Sequence, residues 1–371
     1  MALRRAVCAT AHERMNARPH NGTRRCRFDD PCPATRIEAV ADVLCTLSLP
    51  APFEEMVRPR ATLSVLGRIP ATSQLIDQLR AAPVEVLCPQ LRDPITAAVL
   101  DAGLPRLRCV SLYAVGYNNV DVEAATAREI AVSNTPGVLT DATADCTMAL
   151  LLAATRRICE GDAAVRAGAF EGWEPGYMLG MELTDALLGV VGFGRIGQAV
   201  ARRALGFGMR VAYATDVAVA IDDDLSGRVT EMPLRRLIST ADVVSLHVPL
   251  TDATHHLINE SALRSMRSTA VLVNTSRGPV IDETALVRAL REGWIGGAGL
   301  DVYENEPVLA PGLGECRNAV LSPHLGSATV ATRAAMARLT AQNALDALDG
   351  RLPGNCINPS VWESAPPPPV W

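Results

Sequence analysis

The stretch Leu187-Leu-Gly-Val-Val-Gly-Phe-Gly-Arg-Ile-Gly197 decides how the rest of the chain is read. Its first five residues are mostly apolar, with the length and β-branching of a buried parallel strand. Gly192, Gly194 and Gly197 follow in the G-x-G-x-x-G spacing, residues 198–205 continue with helical periodicity, and 209–214 form a second apolar strand. The first glycine permits a tight turn, the second lets the backbone approach a pyrophosphate, and the third packs helix against strand. The amides opening the helix, around Arg195 and Ile196, lack intrahelical partners and sit at the positive end of its dipole. A glycine triplet alone marks many turns. Flanked by strand, helix and second strand, this one is read as a dinucleotide-binding unit.

At 371 residues the chain is long enough for two domains with substantial cores. An apolar fraction of 49% and a charged fraction of 20% are those of a soluble globular protein, and no apolar run reaches the ~18–20 residues of a membrane helix. The formal charge of −5 argues against nucleic acid as a main partner. All 35 basic residues are arginine, so a Walker-A phosphate loop and Schiff-base chemistry, which need a lysine amine, are excluded. The ten cysteines form no C-x-x-C pair and no metal-like grouping with histidine. They read as small core residues in a reducing, cytoplasmic compartment, and no metal is expected.

Residues 1–40 differ from the rest, with eight arginines against four acidic residues. They are read as a disordered tail or a mis-assigned start, with an arginine-rich transit peptide as the alternative. Structure is expected from residue 41. Strands at 43–49, 62–66, 84–88 and 107–113 alternate with helices at 53–57, 73–80 and 95–102, which implies a small parallel α/β unit. Asn134-Thr-Pro-Gly137 reads as a turn into a long helix, 142–157, that enters the second domain. After the glycine turn, strands at 243–248, 270–274 and 298–302 alternate with helices at 260–266 and 282–291. A last strand precedes Ser322-Pro-His324, helix 329–348 folds back on the first domain, and residues 361–371 form a mobile tail. The fold class is therefore α/β, with two doubly wound parallel-sheet domains and a cleft between them. A substrate-binding domain is assigned to 41–135 plus 327–360, and a nucleotide-binding domain to 136–326.

Hydride transfer to or from an oxygenated carbon needs an acid/base near neutral pH, usually histidine. Of the six histidines, His12 and His20 lie in the N-terminal extension and His255 and His256 in a polar loop. His247, at a strand end before Pro249, is read as adenine-pocket wall. His324 remains, at the expected carboxyl end of a strand, where ligands of open α/β sheets gather. Glu306 follows the strand carrying Asp301 and is placed to pair with it; Arg277 also follows a strand and is suited to a bidentate grip on a carboxylate. A lone histidine is ordinarily structural, and a lone glutamate or arginine ordinarily a surface charge. Three together at one sheet edge carry more weight than any of them singly.

Over residues 41–358 the chain resembles the D-isomer-specific 2-hydroxyacid dehydrogenases, most of all their glyoxylate/hydroxypyruvate reductase branch. The stretches that carry the likeness are Tyr113-Ala-Val-Gly-Tyr-Asn-Asn-Val-Asp121, Asn134-Thr-Pro-Gly-Val-Leu-Thr-Asp-Ala-Thr143, Gly189-Val-Val-Gly-Phe-Gly-Arg-Ile-Gly197, Asn274-Thr-Ser-Arg-Gly278, Gly299-Leu-Asp-Val302 and Ser322-Pro-His-Leu-Gly-Ser327. The resemblance implies His324 as proton donor in reduction, Glu306 as its partner and Arg277 as the clamp on a small 2-oxoacid, whose carboxylate the Val115 and Gly116 amides hold. It places Thr275, Asp301 and Gly326 at the nicotinamide end, and His247, Pro249 and Thr254 along the rest of the nucleotide. It also implies a homodimer through the cofactor domain, with Trp173 of Gly172-Trp-Glu-Pro175 either reaching the partner's active site or serving as ordinary dimer packing.

Three positions depart from the family pattern. Thr215 stands where NAD-dependent members carry an acidic residue, with Asp216 one place later and no arginine directly after; this favours NAD(H) and leaves NADP(H) open. Asp185-Ala186 replaces a usual Gly-Lys, and Cys146 a frequent histidine. The expected activity is reduction of glyoxylate or hydroxypyruvate. The alternatives are phosphoglycerate oxidation, a nucleotide-sensing binding protein like the family's corepressors, and a formate or phosphite dehydrogenase.

Overall fold

The computed structural model describes residues 42–363. The expected extension at 1–40, with His12 and His20, and the residues beyond 363 lie outside the described residues. Two parallel sheets organise the described chain. The first holds β1 (Val43–Cys45), β2 (Leu63–Val65), β3 (Val86–Cys88), β4 (Cys109–Ser111) and β5 (Ala131–Ser133), in the order β2-β1-β3-β4-β5. The second holds β6 (Leu187–Val191), β7 (Arg210–Ala214), β8 (Val229–Glu231), β9 (Val243–Leu246), β10 (Val271–Asn274), β11 (Gly297–Leu300) and β12 (Ala319–Leu321), in the order β12-β11-β10-β9-β6-β7-β8. The strand order reverses once in each sheet, at β1/β3 and at β6/β9. Crevices for ligands open at such reversals, outside the carboxyl ends of the strands.

Among the described residues, twelve α-helices accompany the strands: α1 (Phe53–Val57), α2 (Thr72–Ala81), α3 (Ala97–Gly103), α4 (Val122–Thr126), α5 (Thr140–Thr155), α6 (Ile158–Arg166), α7 (Arg195–Gly206), α8 (Leu234–Thr240), α9 (Glu260–Ser265), α10 (Glu283–Glu292), α11 (Val330–Leu348) and α12 (Ser360–Glu363). Strands buried on both faces need no polar alternation, which explains runs such as Val271-Leu-Val273. One face of the second sheet packs Leu246, Leu272 and Leu300 against Leu237, Leu263 and Leu286; the other packs Leu188, Val190 and Val273 against Met148, Leu151 and Val200. Each fully buried leucine here stabilises the fold by roughly 1.5–3 kcal/mol. In the first sheet, Leu44, Leu87 and Val110 meet Leu75, Leu79 and Val99 on one face, while Val43, Val86 and Cys109 meet Phe53, Met336, Ala337 and Ala341 on the other. Helix α11 returns to this sheet after the second has been built. Its alanines let it lie close, and the Ser111 hydroxyl reaches the Thr340 carbonyl at 3.0 Å.

The chain departs from the sequence expectations at a few elements. The helix expected over 142–157 ends at Thr155 because the returning Met181 amide takes the Thr155 carbonyl at 2.8 Å. Arg157 then turns left-handed (φ 54°) and α6 restarts the helix. Helices α4 and α8 and strands β5 and β8 were not anticipated; the strands hold three residues each, too few to display a period. A mobile tail was expected from 361, but α12 occupies that position and Val361 is buried in the first core. Among the described residues no helix is long and apolar enough to cross a membrane.

Candidate active site

The nucleotide crevice lies where β6 and β9 part. Gly192 ends β6 with φ 88°, and a Cβ there would stand 2.6 Å from the His247 carbonyl, so no other residue fits the turn. A Cβ on Gly197 would come closer still to the Gly192 carbonyl, whereas a Cβ on Gly194 would meet nothing within 4 Å. Open space thus faces Gly194, the N-cap of α7, and the first amides of that helix at Arg195 and Ile196. This cradle fits a pyrophosphate. Below it, Phe193 is buried and stacks on Tyr213 with ring centroids 4.1 Å apart.

The other nucleotide-site candidates line the same sheet edge. His247 follows β9 with Nε2 2.8 Å from the Ser245 hydroxyl. Part of its surface opens to solvent, yet desolvation pushes its pKa down to about 3 and keeps the ring neutral. The Thr254 hydroxyl donates to the Pro249 carbonyl at 2.6 Å and closes the loop between them. Thr215 turns its hydroxyl back to the Val217 carbonyl at 3.0 Å, while Asp216 is exposed and has no partner among the described residues. Thr275, after β10, is buried against the Thr147 hydroxyl at 2.8 Å.

His324 follows β12 in a left-handed conformation (φ 55°), unusual for a residue with a side chain. Asp301 holds it there. This buried carboxylate accepts the Ser322 hydroxyl (2.6 Å) and the Leu325 amide (2.6 Å) on one oxygen, and the Gly326 amide (2.7 Å) on the other. Asp301, expected at the nicotinamide side, is fully buried and anchors the turn that carries His324. The His324 Nδ1–H donates to Glu306 Oε2 at 3.0 Å, because a carboxylate can only accept. Nε2 has no hydrogen-bond partner among the described residues. Glu306 Oε1 accepts the Tyr303 amide at 3.1 Å. Burial raises the Glu306 pKa, but the His324 hydrogen bond and charge, the Tyr303 amide and Arg277 outweigh it and leave the carboxyl below its ordinary value.

Arg277, one strand over, reaches across to the first sheet's loop. Its Nε donates to Asn118 Oδ1 at 2.9 Å and Nη1 to the Ser276 carbonyl at 2.7 Å. Nη2 lies so close to Gly116 that a Cβ there would stand 1.7 Å from it. Desolvation works against the guanidinium charge and Glu306 supports it; a guanidinium stays protonated regardless. Opposite it, the Val115 and Gly116 amides have no hydrogen-bond partners among the described residues. The Val115 carbonyl is held by the Asn134 side chain at 2.7 Å. A held cation thus lies against the loop that carries two unpartnered amides, close enough to Glu306 for its charge to act on that carboxyl.

Other candidates stand apart. Trp173 is 83% exposed in an irregular passage. In the polar loop, His255 is exposed, whereas His256 is half-buried, bonds Glu304 at 2.9 Å and stacks on His255 at 4.0 Å. Imidazole lone pairs lie in the ring planes, so two rings tilted by only 26° aim theirs side by side. The trio with Glu304 is a hydrogen-bonded pair beside a stacked ring, although its three donor groups lie within 4.8 Å of one another. Sequence reasoning missed Asn118 and Asn134. Both lie inside stretches quoted above, where an amide next to a glycine or proline turn was the available signal.

Residues 148–326 match the family described as D-isomer specific 2-hydroxyacid dehydrogenase, NAD binding domain. A Korarchaeum cryptofilum protein named glyoxylate reductase is 49% identical over 290 residues, which span 78% of this chain and 87% of its own. A solved Thermus thermophilus structure superposes with a TM-score of 0.78 at 44% identity, covering 85% of this chain and 99% of its own. The NADPH-dependent glyoxylate/hydroxypyruvate reductase of Sinorhizobium meliloti, solved with NADP and malonate, gives 0.77 at 32% identity and covers 87% and 98%. Family match, fold and strand-end geometry agree: the chain belongs to the D-isomer specific 2-hydroxyacid dehydrogenases.

Proposed function

We propose that this enzyme reduces glyoxylate or hydroxypyruvate to the 2-hydroxyacid, D-configured where C2 is chiral, with His324 as proton donor. The observation that carries the reading is the meeting of the His324–Glu306 pair, Arg277 and two free amides at one cleft. The relatives support it, since the Korarchaeum protein bears the name glyoxylate reductase. When bound, the reduced nicotinamide supplies the hydride that adds to C2. The Val115 and Gly116 amides and the Arg277 fork hold the substrate carboxylate and set C2 against that hydride. As charge grows on the keto oxygen, Arg277 stabilises it and His324 Nε2 delivers the proton. Glu306 holds Nδ1–H throughout, which orients the ring and leaves Nε2 to face the substrate. Thr275 and Gly326 line the nicotinamide end, Gly326 through the amide that Asp301 anchors.

NADH is the favoured reductant, because the exposed Asp216 carboxylate suits a ribose 2′-hydroxyl and repels a 2′-phosphate. His247, Pro249 and Thr254 wall the adenosine side. Residues 41–135 with 327–360 serve as the substrate half and 136–326 as the cofactor half. A homodimer through the cofactor half accounts for Ile158, Val165, Phe170, Trp173 and Leu179, large apolar side chains exposed within one short segment. A reducing cytoplasm suits the cysteines, all free among the described residues.

The test is oxidation of NADH and NADPH in the presence of glyoxylate, hydroxypyruvate and pyruvate. Turnover with the first two, faster with NADH, is expected. Nucleotide binding without turnover on any of the three would overturn the assignment.

A further inference from the structure

Helix α7 does more than present its first amides to an anion. Its buried face is built from Ala199, Val200, Ala201 and Ala204, yet Gln198 lies among them at 6% exposure. An unsatisfied amide would be costly there. Gln198 is satisfied by two separate segments: Nε2 donates to the Phe193 carbonyl (3.3 Å) and the Ala220 carbonyl (2.9 Å), and Oε1 accepts the Asp222 amide (2.8 Å). One turn further along the same helix, Arg202 Nη2 donates to Asp222 (2.9 Å) and Asp224 (2.9 Å), and its Nε to Asp224 as well. Both side chains therefore fasten residues 220–224 to the helix that begins at the glycine turn. Between this anchor and the end of β7 spans a five-residue arch, 215–219, which carries Thr215 and Asp216. Asp216 itself has no partner among the described residues to orient it.

We infer that Gln198, assisted by Arg202, is a positioning residue for nucleotide selection: it fixes the arch relative to the glycine turn, so that Asp216 meets the adenosine ribose at a set distance from the pyrophosphate. This rests on the reading that the nucleotide lies across the glycine turn with its 2′-hydroxyl at Asp216. The glutamine touches no part of the nucleotide and acts only through the backbone segments it joins.

The test compares NADH and NADPH in Gln198→Met, Arg202→Met and Asp216→Ala. Methionine keeps the volume of glutamine and cannot make its hydrogen bonds. For Gln198→Met, kcat/KM with NADH falls about tenfold, the scale of a lost buried hydrogen-bond set. NADPH loses less, so the NADPH/NADH ratio rises, while kcat at saturating NADH and KM for glyoxylate stay as in the parent. Arg202→Met shifts the ratio the same way by a smaller factor. Because Arg202 is partly exposed, this variant carries the test if Gln198→Met does not fold. An equal fall for both nucleotides, with the ratio unchanged, would reduce Gln198 to ordinary structural support and overturn the inference. An unmoved ratio in both methionine variants, beside a shifted one in Asp216→Ala, would overturn it while leaving the nucleotide reading intact. If Asp216→Ala leaves the ratio unmoved as well, the nucleotide reading of the arch fails and the inference falls with it.

Discussion

The two halves of the molecule contribute different kinds of chemistry to one cleft. The seven-stranded half supplies charged side chains, His324, Glu306 and Arg277, each just beyond a strand end. The five-stranded half supplies backbone: the amides of Val115 and Gly116, and a carbonyl held by Asn134. Its one side chain in the site, Asn118, grips the other half's arginine. Side chains can move and exchange protons, and backbone amides can only hold. On the proposed reading, proton transfer belongs to the seven-stranded half, while the substrate's carboxylate is held from both, by the Arg277 fork on one side and the backbone amides on the other.

Three variants bear on that division, in descending order of effect. His324→Ala removes the proton donor and should lower kcat by on the order of 10³-fold or more, the upper part of the range for general acid catalysis. Binding of NADH, followed by fluorescence, should stay near the parent value; an equal loss of nucleotide affinity would mean that the histidine does not belong to the acid/base set. Gly116→Ala attacks the opposite half, because its methyl group would fall 1.7 Å from Arg277 Nη2. Displacing the guanidinium by about an ångström should cost roughly a hundredfold in kcat/KM for glyoxylate, with NADH affinity spared. A neutral outcome would show that the backbone half tolerates a side chain where the comparison says it cannot.

Glu306→Gln should act more mildly, about tenfold on kcat. Stability gives a second readout. The Glu306 carboxyl is held below its ordinary value in the folded chain, so its contribution is present above the usual carboxylate range and is lost as pH falls through the depressed value. The glutamine variant should therefore differ from the parent in thermal stability at neutral pH and converge on it in acid.

This division also explains what could be read from the sequence. The strand ends of the second sheet were legible because the glycine turn, Arg277, Glu306 and His324 are rare residue types at expected positions. Residue types revealed less about the first half: a backbone amide has no side-chain signature, so position after a strand end marked 114–118 as a ligand-side loop, and the family likeness named Val115 and Gly116 within it. Asn118 and Gln198 were missed because their work is to hold another group, and an amide at a turn or on a helix looks generic. The anchoring of the His324 turn by Asp301 was not legible, since the left-handed turn that engages its oxygens is a backbone property. The break between α5 and α6 was hidden for a similar reason: the Met181 amide that ends α5 comes from 26 residues beyond Thr155 (181 − 155).

The bond from Arg277 to Asn118 has a wider meaning. On the proposed reading, proton-transfer groups on one half and a backbone anion cradle on the other, joined by one arginine, make the catalyst modular. On that reading, changes confined to the loop that carries Val115, Gly116 and Asn118 would retune which acid is admitted and leave the His324–Glu306 pair intact. Lineages and protein engineers alike can therefore explore new 2-oxoacids through the five-stranded half alone, provided position 116 stays bare and position 118 keeps an acceptor for the guanidinium.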